Sequence, residues 1–443
     1  MAGLHVSELA DSSLGHAISL LPFTDILEAT ACSRRWLQLG HGLTYLAAVS
    51  PETSIPTLLA LPILSSRFPQ LSHMLSACLD DWKMSYLHAL QAGGHLIQSL
   101  VLQLPEGMGE QELSFILRRC PNLVQFHLSD YDLVGQDIRG HFLQDLPRTL
   151  TELRLCLLRD LQDCNMQAAV NAAPHLGSIH LEGVDELTDD GIAALGALKL
   201  RELSLVFTLT GAPQIAESTL LSVLSRSGNQ GGLMTLEVSE RAGPPLILSA
   251  QGAAFVQVLG PHRTLMTLIL SGVVGLGDVA LQALAVSCPN LRELSLYRPG
   301  NQLTAAGLQE ALRQLSLEKV SLGCVADFTG AFQALRLAGH GLRSFEMTRY
   351  FRTAADESVS SVLENLRDVC FPRLRSATFR GTFSSEQVLA CYEGMGRDPA
   401  PANLDWVQLD DQTFSVKWPR FCEAEEAYVT VQLQRCFKES EFR

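Results

Sequence analysis

The chain has 443 residues, 47% hydrophobic and 18% charged, which is enough apolar material for two or three domains or one long repeat array. Only 7% are aromatic, so leucine, valine and alanine must fill the core. A formal charge of -14 argues against non-specific binding to nucleic acid or anionic lipid and favours basic partners.

In chain order, the opening MAGLHVSELADSS has neither a basic n-region nor an unbroken apolar h-region, and predicts no secretory signal. A compact three-helix unit is expected within residues 1–40. Ser13 can cap a helix carrying Leu14, Ile18 and Leu21 on one face, and Pro22 breaks it. Thr24 or Asp25 opens a second helix with Ile26, Leu27 and Ala29, and SRRWLQL closes the unit around Trp36. Residues 41–95 are proline-punctuated and apolar, and read as packed short helices that end at a Gly-Gly stop.

From Leu96 onward one pattern recurs: L-x-x-L-x-L, a loop, then a helical stretch. First leucines fall at Leu96, Leu123, Leu150, Leu176, Leu200, Leu233, Leu265, Leu291, Leu317, Leu342, Leu374 and Leu404, spaced 24 to 33 residues apart. That period belongs to leucine-rich repeats, with insertions in the longer units. The fold class is therefore α/β: a leucine-rich-repeat solenoid over residues 96–410, a horseshoe with a concave parallel sheet and convex helices. Residues 411–443 form a C-terminal cap. The second and third leucines of each strand should build the core, because no single unit can bury its own apolar face. Cys120, Cys288 and Cys370 sit just before strands and read as packing thiols. The eleven cysteines include no C-x-x-C pair, which fits reduced thiols in cytoplasm or nucleus. The stretches TLTGAPQIAEST and ERAGPPLILSAQG lengthen two units and map to loops.

One repeat imitates a nucleotide site. In LILSGVVGLGDVALQALAV, Gly275, Gly277 and Ala280 match G-x-G-x-x-A, and Glu293 follows. Aligning repeats puts Leu276 with Leu303 and Leu187, Gly277 with Thr304 and Thr188, and Ala280 with Gly307 and Gly191. The glycines then occupy a loop before a helix that other units open with a threonine cap, and they read as scaffold.

No phosphate-loop, nucleophile-elbow, zincin or EF-hand motif occurs, and the twelve histidines show no metal-ligand spacing along the chain. The sequence points to no catalytic residue, no metal and no cofactor. His127 and His180 fall at strand positions on the concave face and read as polar surface. Glu152, Glu182, Glu202, Glu237, Glu293 and Glu346 also face outward, against Arg154 and Lys319. Such an acidic column would attract a basic segment. Aligned strand ends place Tyr297 and Arg298 beside Arg349, Tyr350 and Phe351, with Arg380 one repeat further on. Tyrosine, phenylalanine and arginine dominate binding energy once desolvated, so this edge is a candidate grip for a protein substrate.

The run CPNLRELSL with a following LTAAGL, and CPNLVQFHL earlier, resembles the cysteine-containing repeats of F-box/leucine-rich-repeat proteins. The N-terminal unit resembles an F-box in Leu20, Leu21, Pro22, Asp25, Ile26, Leu27, Ala29, Cys32, Arg34, Arg35 and Trp36, with Leu9-Ala10 where that family opens on Leu-Pro. The resemblance implies that Leu9, Leu14, Ile18, Leu21, Pro22, Phe23, Ile26, Leu27 and Trp36 dock on a Skp-type adaptor, and through it a cullin. It implies a non-catalytic substrate-recognition subunit of a Skp–cullin–F-box ubiquitin ligase that holds its substrate on the repeats, with no nucleic acid and no membrane. The alternative is a leucine-repeat scaffold whose N-terminal helices only cap the array.

Overall fold

A strand places alternate side chains on opposite faces, so L-x-x-L-x-L sends its last two leucines to one face and the intervening residue to the other. The computed structural model shows that division in every described repeat. It describes residues 90–91, 94–104, 108–130, 138–184, 186–208, 215–228, 232–240, 245–300, 302–323, 330–331, 334–335 and 341–348, and the backbone of strands at 74–79, 376–381, 406–410, 413–419 and 428–435. The F-box-like residues, with Leu9 to Trp36, lie outside the described residues, as do Cys370, Arg349, Tyr350 and Phe351.

The chain divides into two units, Met1–Ile215 and Ala216–Arg443. In the first, six parallel strands follow chain order: β1 (Met74–Leu79), β2 (Ile97–Gln103), β3 (Gln125–Ser129), β4 (Glu152–Cys156), β5 (Ser178–Glu182) and β6 (Glu202–Phe207). Helices α1 (Glu110–Arg119), α2 (Asp163–Ala172) and α3 (Asp189–Ala194) alternate with them. Leu100, Leu102, Phe126, Leu128, Leu153, Leu155, Ile179, Leu181, Leu203 and Leu205 are all at most 1% exposed, so the expected core is present.

Two expectations change here. The sheet starts a strand before residue 96, because β1 pairs with β2 through Met74↔Ile97, Ala77↔Leu100 and Leu79↔Leu102. The positions in register with Ile97 and Leu100 are methionine and alanine, not leucine, so the leucine pattern does not mark this strand. The first apolar position of β2 is also Ile97, fully buried, rather than Leu96: Leu100 pairs with Phe126, and Ile97 precedes Leu100 by the same three residues that separate Leu123 from Phe126.

The second unit contains β7 (Thr235–Glu240), β9 (Thr267–Ser271), β11 (Glu293–Tyr297), β12 (Lys319–Gly323), β13 (Ser344–Thr348) and β14 (Ser376–Gly381), all parallel, with helices α4 (Glu217–Gly228), α5 (Ala253–Leu259), α6 (Asp278–Ser287) and α7 (Ala305–Gln314). The ERAGPPLILSAQG insertion supplies β8 (Leu246–Ile247), which pairs with β10 (Val273–Val274) as a small separate sheet. The array does not end on another parallel repeat. After β14 come β17 (Tyr428–Arg435), then β16 (Thr413–Pro419), then β15 (Trp406–Asp410), and the last two junctions are antiparallel. Leu404 thus leads into the outer strand of a meander, where the twelfth repeat was expected.

Carboxylates lock one repeat to the next. The first residue of five described helices is acidic, and four of these carboxylates reach the backbone that begins the following unit's helix or turn. Asp163 accepts from the Thr188 N–H at 2.8 Å and the Thr188 hydroxyl at 2.6 Å. Asp278 does the same for Thr304, both at 2.7 Å. Glu110 accepts from the Gly140 and Phe142 N–H groups at 2.6 and 2.9 Å, and Glu217 from the Ser249 N–H at 2.9 Å. The threonines in turn cap their own helices, Thr188 accepting from the Asp190 N–H and Thr304 from that of Gly307. One carboxylate therefore stabilises its own helix dipole and orients the next repeat.

Candidate functional site on the open sheet face

The glycine-rich turn can be placed first. Gly277 is the residue before α6, and Thr304 and Thr188 hold the same place before α7 and α3, as the repeat alignment requires. Gly275 has φ +96, and a Cβ there would lie 2.5 Å from the Leu248 carbonyl oxygen. The Gly277 N–H donates to the Gln251 carbonyl at 3.2 Å. The previous repeat fills the space a pyrophosphate would need, and the Gly277 N–H is already used. These glycines let two repeats approach.

The cysteines of the C-P-N-L units are equally structural. Cys120 and Cys288 are fully buried at helix ends. Burial pushes their thiols up, to about 12 and about 11, so neither forms a thiolate at neutral pH. The neighbouring Asn122 and Asn290 donate their amides to the His95 and Arg263 carbonyls of the preceding units at 2.7 and 2.8 Å.

The face of each sheet opposite the helices carries the polar side chains. In the second unit Glu293 is ion-paired with Lys319 and lies in register with it, while Arg292 and Arg343 both reach Glu318, at 3.2 and 3.3 Å. In the first unit Glu152 takes the Arg154 guanidinium at 2.7 Å and the Gln125 amide at 2.9 Å, and Glu202 accepts from the Ser178 hydroxyl at 2.8 Å. The glutamates do not form one column. Glu152, Glu202 and Glu293 sit at the first position of their strands, Glu237 and Glu346 in the middle, and Glu182 at the end. Pairing with basic and hydroxyl neighbours further divides the acidic character into local pairs.

Tyr297 and Arg298 also have specific surroundings. β12 intervenes between β11 and β13, so Tyr297 lies beside Gly323, with Thr348 and then Arg380 at the same register on the next two strands. This corrects the direct adjacency expected between Tyr297 and the segment after Thr348. The Tyr297 ring covers Gly323 so closely that no Cβ would fit there. The Arg298 guanidinium carbon is 5.8 Å from the centre of that ring, a cation–π arrangement, and Arg298 itself has φ +54. A non-glycine residue in the left-handed region stores about 1–2 kcal/mol.

The densest chemistry lies on the first unit. Parallel register aligns His127, Arg154, His180 and Ser204 along the middle row of the open face, and Ser129, Cys156, Glu182 and Val206 along the end row. Cys156 Sγ lies 3.6 Å from His127 Nε2. His180 Nε2 is 3.5 Å from a Glu182 oxygen, and His180 Nδ1 is 2.7 Å from the Ser204 hydroxyl. Donor atoms of Cys156, His180 and Glu182 all fall within 4.8 Å of one another. Cys156 is 3% exposed, and burial, reinforced by the Glu182 charge, pushes its thiol up to about 11. Burial, then the neighbouring Arg154 and His180, hold His127 below its ordinary value, so it is neutral at pH 7. The histidines are therefore not isolated polar surface. Local motif spacing missed the cluster because its members are one repeat apart in sequence and adjacent only after the sheet forms.

No protein-family model matches the chain, and no curated protein sequence matches it. Among solved structures, the chain is similar to one in the crystal structure of the Rad7 and Elc1 complex in yeast, with 16% identity and a TM-score of 0.40, over 85% of this chain and 94% of that one.

Proposed function

We propose that the protein is the substrate-recognition subunit of a Skp–cullin–F-box ubiquitin ligase, acting in the cytoplasm or nucleus. The observation that carries this reading is the order of parts: an F-box-like stretch at residues 6–40, then repeats of leucine-rich type whose open face is lined mainly with polar side chains. In this reading residues 1–40 bind a Skp-type adaptor, and the repeats that follow hold a protein substrate. The chain performs no chemistry of its own. It raises the effective concentration of a substrate lysine near a charged conjugating enzyme.

Tyr297 and Arg298 at the end of β11 and Arg380 on β14 supply aromatic and cationic anchors for the substrate, with Arg349, Tyr350 and Phe351 following β13. Co-purification tests the proposal. A Skp-type adaptor and cullin should accompany the parent chain and be lost from the Leu21→Ala/Pro22→Ala variant, while the repeats melt unchanged. Absence of adaptor from the parent favours the alternative, a repeat scaffold with a helical cap.

A further inference from the structure

We propose that Cys156, His180 and Glu182 form a three-ligand binding site for one zinc-type divalent cation on the open face of the first unit. The proposal is independent of the ligase reading.

The distances fit tetrahedral coordination. With zinc–sulfur bonds near 2.3 Å and zinc–nitrogen or zinc–oxygen bonds near 2.0 Å, tetrahedral angles put sulfur and nitrogen ligands about 3.6 Å apart, and nitrogen and oxygen ligands about 3.3 Å apart. The structure has 3.5 Å between His180 Nε2 and the Glu182 carboxylate, and the donor atoms of Cys156, His180 and Glu182 all lie within 4.8 Å of one another, close enough for small side-chain shifts to close on one ion. Mixed sulfur, nitrogen and oxygen donors select zinc and its borderline neighbours over magnesium or calcium, which take all-oxygen shells. A thiolate and a carboxylate also neutralise a divalent charge, so the loaded site would bury no net charge at the nearly inaccessible Cys156.

The surroundings are those of a built site. Ser204 Oγ is bonded to His180 Nδ1; when that bond is donated by the imidazole, the Nε2 lone pair is left facing Glu182, the outer-shell arrangement that orients metal-binding histidines. Arg154, the cation in the middle row, turns its Nε to Glu152 at 2.7 Å. The backbone at the strand ends is fixed by two left-handed residues, Leu157 and Gly183, both at φ +62. Their N–H groups donate to the carbonyls of Glu182 at 2.6 Å and Val206 at 2.8 Å, pinning the residues that follow Cys156 and Glu182. Leucine in this conformation is costly, and such strain concentrates at functional positions. Beside them, the Asp130 N–H donates to the Cys156 carbonyl at 3.0 Å.

The test uses the purified full-length chain, stripped with a chelator and titrated with zinc(II), and separately with cobalt(II) to read the ligands spectroscopically. One zinc ion should bind per chain, and the cobalt form should show a thiolate-to-metal charge-transfer band. Cys164→Ser, at an exposed cysteine of the same unit, should bind as the parent does. Cys156→Ser should abolish the band, and His180→Gln and Glu182→Gln should each weaken zinc binding at least tenfold. If Cys156→Ser fails to fold, His180→Gln at its half-buried position carries the test. No stoichiometric zinc, no charge-transfer band in the parent, or parental affinity in His180→Gln would each overturn the site.

Discussion

His262 should be the most sensitive single position for the stability of the second unit. Its side chain is fully buried between the last turns of α4 and the segment before β7. Nδ1 accepts from the Leu233 N–H at 2.8 Å and Nε2 donates to the Leu224 carbonyl at 2.9 Å, which fixes the neutral ring with its proton on Nε2. His262→Ala removes both partners and leaves a buried donor and a buried acceptor unsatisfied, at about 1–3 kcal/mol each. Lost packing adds to this, so a loss of roughly 3 kcal/mol or more is expected, a drop of about 6–12 °C in the melting of a domain of this size. The sign of the pH dependence follows from the same geometry. Burial lowers the His262 pKa below its ordinary value, with the Leu224 carbonyl opposing weakly. Above about pH 6.5 the ring is neutral folded and unfolded, and its contribution is complete. As pH falls, the unfolded chain takes the proton first, and the contribution is lost as pH drops through the folded value. Thermal unfolding followed by circular dichroism between pH 8 and 5, with hydrogen exchange at the Leu233 amide, reads both effects. A loss below about 1 kcal/mol, or a variant with the parent's full pH dependence, would refute the reasoning.

Gly275→Ala should cost about 2 kcal/mol or more, since alanine at positive φ is strained and its Cβ meets the Leu248 carbonyl oxygen, a backbone atom that cannot step aside; chemical denaturation measures it. Asp278→Ala should cost about 1–2 kcal/mol, and a double-mutant cycle with Thr304→Val should be strongly non-additive, because one carboxylate serves both the Thr304 hydroxyl and its N–H. Arg349→Ala with Tyr350→Ala should weaken capture of a verified substrate at least tenfold (about 1.4 kcal/mol) with unchanged melting, whereas lowered melting with intact capture would return both residues to the scaffold.

Particular residues show what could be read ahead. Leu153 and Leu155 announce their burial because both the strand alternation and the repeat period point inward, and two independent periods rarely coincide by chance. The same redundancy identified Gly277 as a cap equivalent to Thr188 and Thr304. It failed where one signal was missing: β1 carries Met74 and Ala77 in place of leucines, and Ile97 was passed over for its neighbour Leu96. The antiparallel β15–β17 meander escaped because its leucine spacing copies a repeat while its pairing does not. The Cys156, His180 and Glu182 cluster escaped for a different reason. A repeat protein converts a separation of one period into contact, so motif searches confined to one helix or loop do not see it. Applying the repeat register to His127, Cys156 and His180 would have placed them on neighbouring strands without any coordinates.

The central claim is best tested by titrating purified Skp-type adaptor into the purified full-length chain and measuring heat. The account predicts saturable binding of one adaptor per chain, abolished by Leu21→Ala/Pro22→Ala and unaffected by Gly275→Ala at temperatures where that variant is folded. No heat with the parent, or equal binding by the double variant, would contradict it.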